Sequence, residues 1–133
     1  MKMIEVKTAE LVGPALDWAV AEAEGITRRE PMHIRESEPR CWSCDYSYGY
    51  SPSTDWSQCG PLIEKYHIQT SYNGNGFPRS PTSEYWCAYA CDDSGAFRSS
   101  GGGPTPLIAI CLAIVRANLG DVVQVPEELV ASA

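Results

Sequence analysis

From Pro106 to Val115 the chain reads Pro-Leu-Ile-Ala-Ile-Cys-Leu-Ala-Ile-Val, ten residues without a charge. Continued to Leu119, the stretch is apolar nearly all round a helix, and such a helix has to be enclosed by the rest of the chain. Ten apolar residues are too few to span a bilayer. Thr105 is placed to cap the helix, Pro106 suits its first position and Gly120 its end. A buried core helix is therefore predicted over residues 105–119, and the remaining elements must pack around it.

The chain has 133 residues, the length of one domain, so residues 1–133 are read as a single unit. Hydrophobic residues make up 44% and charged residues 20%, which fits a globular protein and not a disordered one. The net charge of −7 argues against broad phosphate neutralisation, so direct nucleic-acid binding is not expected. Charges at Lys2, Glu5 and Lys7 interrupt the stretch where a signal peptide needs an apolar run, and a cytoplasmic location is expected. In that compartment the six cysteines should be reduced.

Alternation over Met3–Lys7 predicts a strand. Val12, Leu16, Ala19, Val20 and Ala23 recur at helical spacing between Gly13-Pro14 and Gly25, which predicts an amphipathic helix over 13–24. Residues 26–40 mix both charges with prolines and allow one short strand around Met32 to Arg35. Residues 41–60 show no regular period. Within them, Asp55 and Gln58 have the spacing of a capping box before a short helix over 62–66. Strands are predicted at 68–72 and 84–91, a mobile loop at 92–103 and a last strand at 121–125, with 127–133 a frayed or weakly packed tail. The expected fold is α+β: a compact single domain with a small, mostly antiparallel sheet and two to three helices, the C-terminal one buried.

Several constellations carry chemistry. Cys41-x2-Cys44 and Cys87-x3-Cys91 supply four thiols for a tetrahedral zinc site. On a straight strand, however, Cys87 and Cys91 lie about 13 Å apart, so metal-free cysteines are the favoured reading and no cofactor is expected. His33 and His67 have no sequence tie to a thiol, and no hydrolase, zincin or P-loop motif is present. Catalysis is therefore not expected. Gly101-Gly102-Gly103 before a helix could hold an anion, but Pro104 and Pro106 remove two donors, and a flexible connection is favoured. The aromatic and polar residues of 46–58 and 85–89 form the candidate binding surface. Tyr50, Trp56 and Trp86 offer stacking faces, and Ser51, Thr54, Asp55 and Gln58 offer hydrogen bonds. Thr105 stands at the helix start, and Arg98 could offset a phosphate charge.

Three blocks together resemble the NinX-like family of small bacteriophage proteins, a domain of unknown function. They are Leu16-Asp17-Trp18-Ala19-Val20-Ala21 with Gly25; Tyr50-Ser51-Pro52-Ser53-Thr54-Asp55-Trp56-Ser57-Gln58 through Gly60-Pro61-Leu62-Ile63-Glu64; and Thr105-Pro106-Leu107-Ile108-Ala109 through Leu119-Gly120-Asp121-Val122-Val123-Gln124-Val125-Pro126. A Trp86-x-Ala88 element fits as well. The departures are the Cys41/Cys44 pair and Cys59, where the pattern usually has Gly; the Cys87/Cys91 pair is not a family hallmark.

The resemblance implies a phage accessory protein in the host bacterial cytoplasm and supplies no reaction. By analogy, small phage proteins counter host defence, some by sequestering nucleotide immune signals. The leading expectation is a non-enzymatic binder of a small nucleotide-like molecule, with a pocket at an interface in a homo-oligomer compatible with tight sequestration. The alternative is an acidic protein-interaction module that inhibits a host protein. A nucleotide-degrading or host-modifying enzyme is the third reading.

Overall fold

A computed structural model describes residues 2–26, 29–33, 39–43, 49–72 and 86–130, with backbone alone for 29–33 and 39–43. The elements in chain order are β1 (Met3–Lys7), a 3-10 turn (Thr8–Glu10), α1 (Gly13–Ala23), β2 (Arg29–His33), β3 (Pro39–Ser43), α2 (Trp56–Lys65), β4 (Gln69–Tyr72), β5 (Trp86–Cys91), β6 (Phe97–Gly103), α3 (Pro106–Leu119), β7 (Val122–Pro126) and α4 (Glu127–Val130). The fold is α+β. Among the described residues every strand pair is antiparallel, and the strands divide into three small sheets, β1-β7, β2-β3 and β4-β5-β6.

The predicted core helix is α3. Thr105 Oγ1 accepts the Ile108 amide at 3.2 Å, Pro106 occupies the first turn and Gly120 ends the helix at φ 89°. Leu107 and every residue from Ala109 to Val115 are buried. α1 packs on α3, and its Leu16, Ala19 and Val20 are in the shared core at 0% exposure. The ends of the chain meet in β1-β7, where Ile4 pairs with Val125 and Val6 with Val123. Those four turn toward the core, while Met3, Glu5, Lys7, Val122 and Gln124 are exposed. This is the period-two pattern of a half-buried sheet.

The segment 92–103 is not a mobile loop. Asp92 Oδ1 accepts the amides of Ser94 and Ala96 at 2.9 and 3.0 Å and closes a turn, and β6 follows it. The three glycines belong to β6. A Cβ on Gly101 would stand 2.4 Å from the Ala109 carbonyl oxygen and 2.6 Å from the Ala113 nitrogen. The glycine run thus lets the backbone of α3 lie directly on β6. Between these glycines and the turn, the Ser99 hydroxyl donates to the Ala113 carbonyl at 2.6 Å and secures the same contact.

Three further expectations are corrected. Residues 127–130 are helical with Leu129 fully buried, because Glu127 N–H donates to Lys2 C=O at 2.9 Å and ties this segment to β1; they do not fray. α2 runs unbroken through Gly60-Pro61. β3 starts at Pro39 and runs to Ser43, into the stretch that has no sequence period. No helix among the described residues is long and apolar enough to cross a membrane.

Candidate functional site

The candidate residues divide between one loop, residues 50–58, and three positions outside it, Trp86, Arg98 and Thr105. In the loop, Gln58 does not complete a capping box. Its Oε1 accepts the Ser51 amide at 2.6 Å, and its Nε2 donates to the Gly49 carbonyl at 3.1 Å. Asp55 caps α2 alone, accepting the Ser57 amide at 2.9 Å and the Ser57 hydroxyl at 2.6 Å. These bonds, the hydroxyl one foremost, hold its carboxyl below the usual range. Thr54 donates to the Ser51 carbonyl at 3.4 Å. Tyr50 is only 3% exposed and belongs to the core. The polar groups expected to read a ligand are largely engaged in shaping their own loop, as side chains of this type do in turns.

A residue that sequence reasoning passed over anchors the loop. Asp17 lies on the buried side of α1, and its Oδ1 accepts the Ser53 amide at 2.9 Å. Burial pushes its carboxyl up to about 7, against the lowering effect of hydrogen bonding from Ser53, whose amide donates to it. The available signal was the residue's place: a carboxylate flanked by Ala15, Leu16, Trp18 and Ala19 in a helix that buries this face. Beside it, Cys59 of α2 and Cys111 of α3 meet in the core.

Cys59 beside Cys111, and Tyr66 beside Asn118, show that α2 and α3 run in the same direction. Trp56, at the start of α2, and Thr105, at the start of α3, therefore lie toward one end of the molecule. Trp86 joins them, since it pairs with Gly103 in the sheet. Arg98 does not. Its guanidinium donates to the Ala117 carbonyl at 3.0 Å and serves the C-terminal end of α3. A rise of 1.5 Å per residue puts that end roughly 18 Å from Thr105, so Arg98 cannot share a small pocket with the others. Thr105 itself is occupied as a helix cap. Thr105→Ala should cost about 1 kcal/mol of stability without affecting binding, which urea denaturation beside a binding assay would check.

Among the described residues the exposed aromatics are Trp56 (57% exposed), Tyr72 (57%), Phe97 (63%) and Tyr89 (37%). Tyr72 meets Trp86 with ring centroids 5.2 Å apart, and Tyr89 meets Phe97 at 6.1 Å; both pairs are tilted. Ala88 and Ala90 of β5 are buried toward α3, so Tyr89 and Phe97 stand on the opposite, outer face of the three-stranded sheet. A cavity of about 30 Å³ beside Val6, Leu11, Ala15 and Val130 holds a water at most and lies away from these residues.

Cys87 and Cys91 are half-buried on β5. Cys44 and the side chain of Cys41 fall outside the described residues. Among the described residues no group of three or more His, Cys, Asp or Glu could hold a metal ion.

In a comparison with known proteins, no curated protein matches the chain. A family model described as Bacteriophage P22, NinX matches residues 7–118, a span that includes α1 with Asp17, the loop that it anchors and nearly all of α3. The chain belongs to that NinX family of phage proteins.

Proposed function

We propose that this phage protein works by binding and not by catalysis, and that its partner is a host protein with a basic contact surface, engaged through the outer face of the β4-β5-β6 sheet. The observation that carries this reading is the Tyr89–Phe97 pair. Two large aromatic rings with centroids 6.1 Å apart sit on the outer face of the sheet, and Phe97 is the most exposed large hydrophobic residue among the described residues. Aromatic side chains give contact area at little entropic cost and are enriched where proteins meet. The net charge of −7 favours a partner of opposite sign and speeds the encounter. Exposed aromatic rings on a sheet face suit a protein better than a small molecule, which needs a concavity to bury it.

The test compares wild type with Tyr89→Ala/Phe97→Ala as bait in host lysate over a salt series. Both side chains are exposed, so the double variant should keep its melting temperature. One specific host protein should be retained by wild type, with affinity falling as salt rises and dropping at least about tenfold in the variant. Equal retention by the two baits sinks the assignment of this face.

A small nucleotide-like ligand is the second reading, and the exposed indole of Trp56 favours it. That ring offers a stacking face at the end where α2 and α3 begin. Native mass spectrometry after exposure to infected-cell extract separates the two readings. An intact nucleotide released on denaturation, and lost in Trp56→Ala, would replace the protein-partner reading.

A further inference from the structure

The outer face of the β4-β5-β6 sheet is nearly free of charge. Its strands read Gln-Thr-Ser-Tyr, Trp-Cys-Ala-Tyr-Ala-Cys and Phe-Arg-Ser-Ser-Gly-Gly-Gly, with Arg98 as their one charged residue. Arg98 turns away from that face, because its guanidinium donates to the Ala117 carbonyl of α3, on the inner side of the sheet. Alternation and register put Cys87, Tyr89 and Cys91 on the outer face, with Ser71 beside Cys87, Ser100 beside Tyr89 and Phe97 beside Cys91. None of these six is Asp, Glu, Lys or Arg, in a chain of net charge −7.

We propose that, in the absence of the host partner, a second copy of this chain covers that face in a weak twofold dimer. This occupancy rests on the reading of the face as a docking surface, and it adds the occupant that the host partner displaces. Two acidic copies repel each other wherever their charged surfaces meet. Across this face they bring uncharged side chains together and bury no unpaired charge. A twofold axis through the face sets the same patch against itself. The two sheets then stack about 10 Å apart, with the Tyr89 and Phe97 rings of one copy packed among those of the other. A strand spacing of about 4.8 Å and a rise of about 3.3 Å per residue give the face roughly 300 Å² in projection, against about 800 Å² per partner in a standard interface. The dimer therefore dissociates readily and leaves the face available.

Salt separates the two occupants. Screening weakens the attraction between an acidic chain and a basic partner, and it equally weakens the repulsion between two acidic copies. Capture of the host partner falls as salt rises, whereas dimerisation grows.

The experiment is sedimentation equilibrium of the reduced full-length chain between about 1 µM and about 1 mM, the range in which a small interface associates. The mass should pass from one chain to two. The dissociation constant should be at least about threefold lower at about 500 mM salt than at about 50 mM. Cys91, half-buried on this face, should react with a maleimide more slowly at the high concentration, while the fully buried Cys111 stays unreactive at both. Phe97→Glu sets two carboxylates across the axis, and Tyr89→Ala/Phe97→Ala removes the rings; both variants should stay monomeric and keep the wild-type melting temperature. A wild-type mass of one chain at every concentration and salt overturns the proposal, as does a dimer that persists in both variants or weakens as salt rises. A dimer in wild type alone, with equal capture of host protein by wild type and Tyr89→Ala/Phe97→Ala, upholds the dimer and removes the host partner from this face.

Discussion

Gly101→Ala should destabilise the protein by about 3 kcal/mol, the upper end of the cost of overpacking a core. The added carbon would stand 2.4 Å from the Ala109 oxygen, 2.6 Å from the Ala113 nitrogen and 2.8 Å from the Leu112 Cβ. Two of these atoms are backbone of α3, and no rotamer change removes them. The helix would have to lift off β6, which would also strain the Ser99–Ala113 hydrogen bond. Gly103→Ala should cost less, because its nearest neighbour at 2.7 Å is the Ile108 Cγ2, a side-chain end that can move. Gly60→Ala should do the opposite. Gly60 is inside α2 with open space around it, and alanine there should add about 0.5–1 kcal/mol. Urea denaturation of the three variants checks the order. Equal effects at Gly101 and Gly60 would mean that α3 does not rest on the glycine strand.

Asp17→Asn should flatten the pH dependence of stability and make the protein more stable than wild type at pH 8. Burial raises the Asp17 carboxyl from 3.8 to about 7 in the folded protein. Between those two values the folded protein keeps a proton that the unfolded chain has lost. Wild-type stability from this group is thus full below pH 3.8, declines as pH rises and levels off above about 7. From pH 5 to pH 8 the loss is about 3 kcal/mol. An asparagine keeps an oxygen for the Ser53 amide and carries no charge to bury, so its own contribution has no slope. The measurement is the free energy of unfolding of both proteins from pH 5 to pH 8, taken as a difference so that shared groups cancel. Parallel profiles would refute the buried-carboxylate account. Asp17→Ala is a different experiment, since it leaves the buried Ser53 amide unbonded at a cost of about 1–3 kcal/mol.

Much of the architecture was legible because it depends on neighbours in the chain. The cap at Thr105, the proline that follows it and the stop at Gly120 are local chemistry, and each acts as its residue type predicts. The same holds for α1 between Gly13-Pro14 and Gly25, and for the alternation in β1. The candidate site was less legible. Tyr50, Asp55 and Gln58 have the composition of a binding loop, yet hydrogen bonds to Gly49, Ser51 and Ser57 engage them in building that loop. Side-chain type shows what a residue can bond to, and only the folded chain shows whether it already has.

The sequence alone determined that a long apolar helix had to be enclosed, that the fold would be α+β, and that the chain resembled a phage family to which its match over residues 7–118 assigns it. Tertiary structure decided the rest. It turned the glycine run from a connection into the floor under α3, placed Arg98 and Thr105 at opposite ends of that helix, and brought Asp17 to Ser53 and Cys59 to Cys111. The division has one physical cause. Helix caps and periodicity act over a few residues and can be read in a line, whereas each of the other contacts joins different elements at least 8 positions apart and exists only once the core has closed.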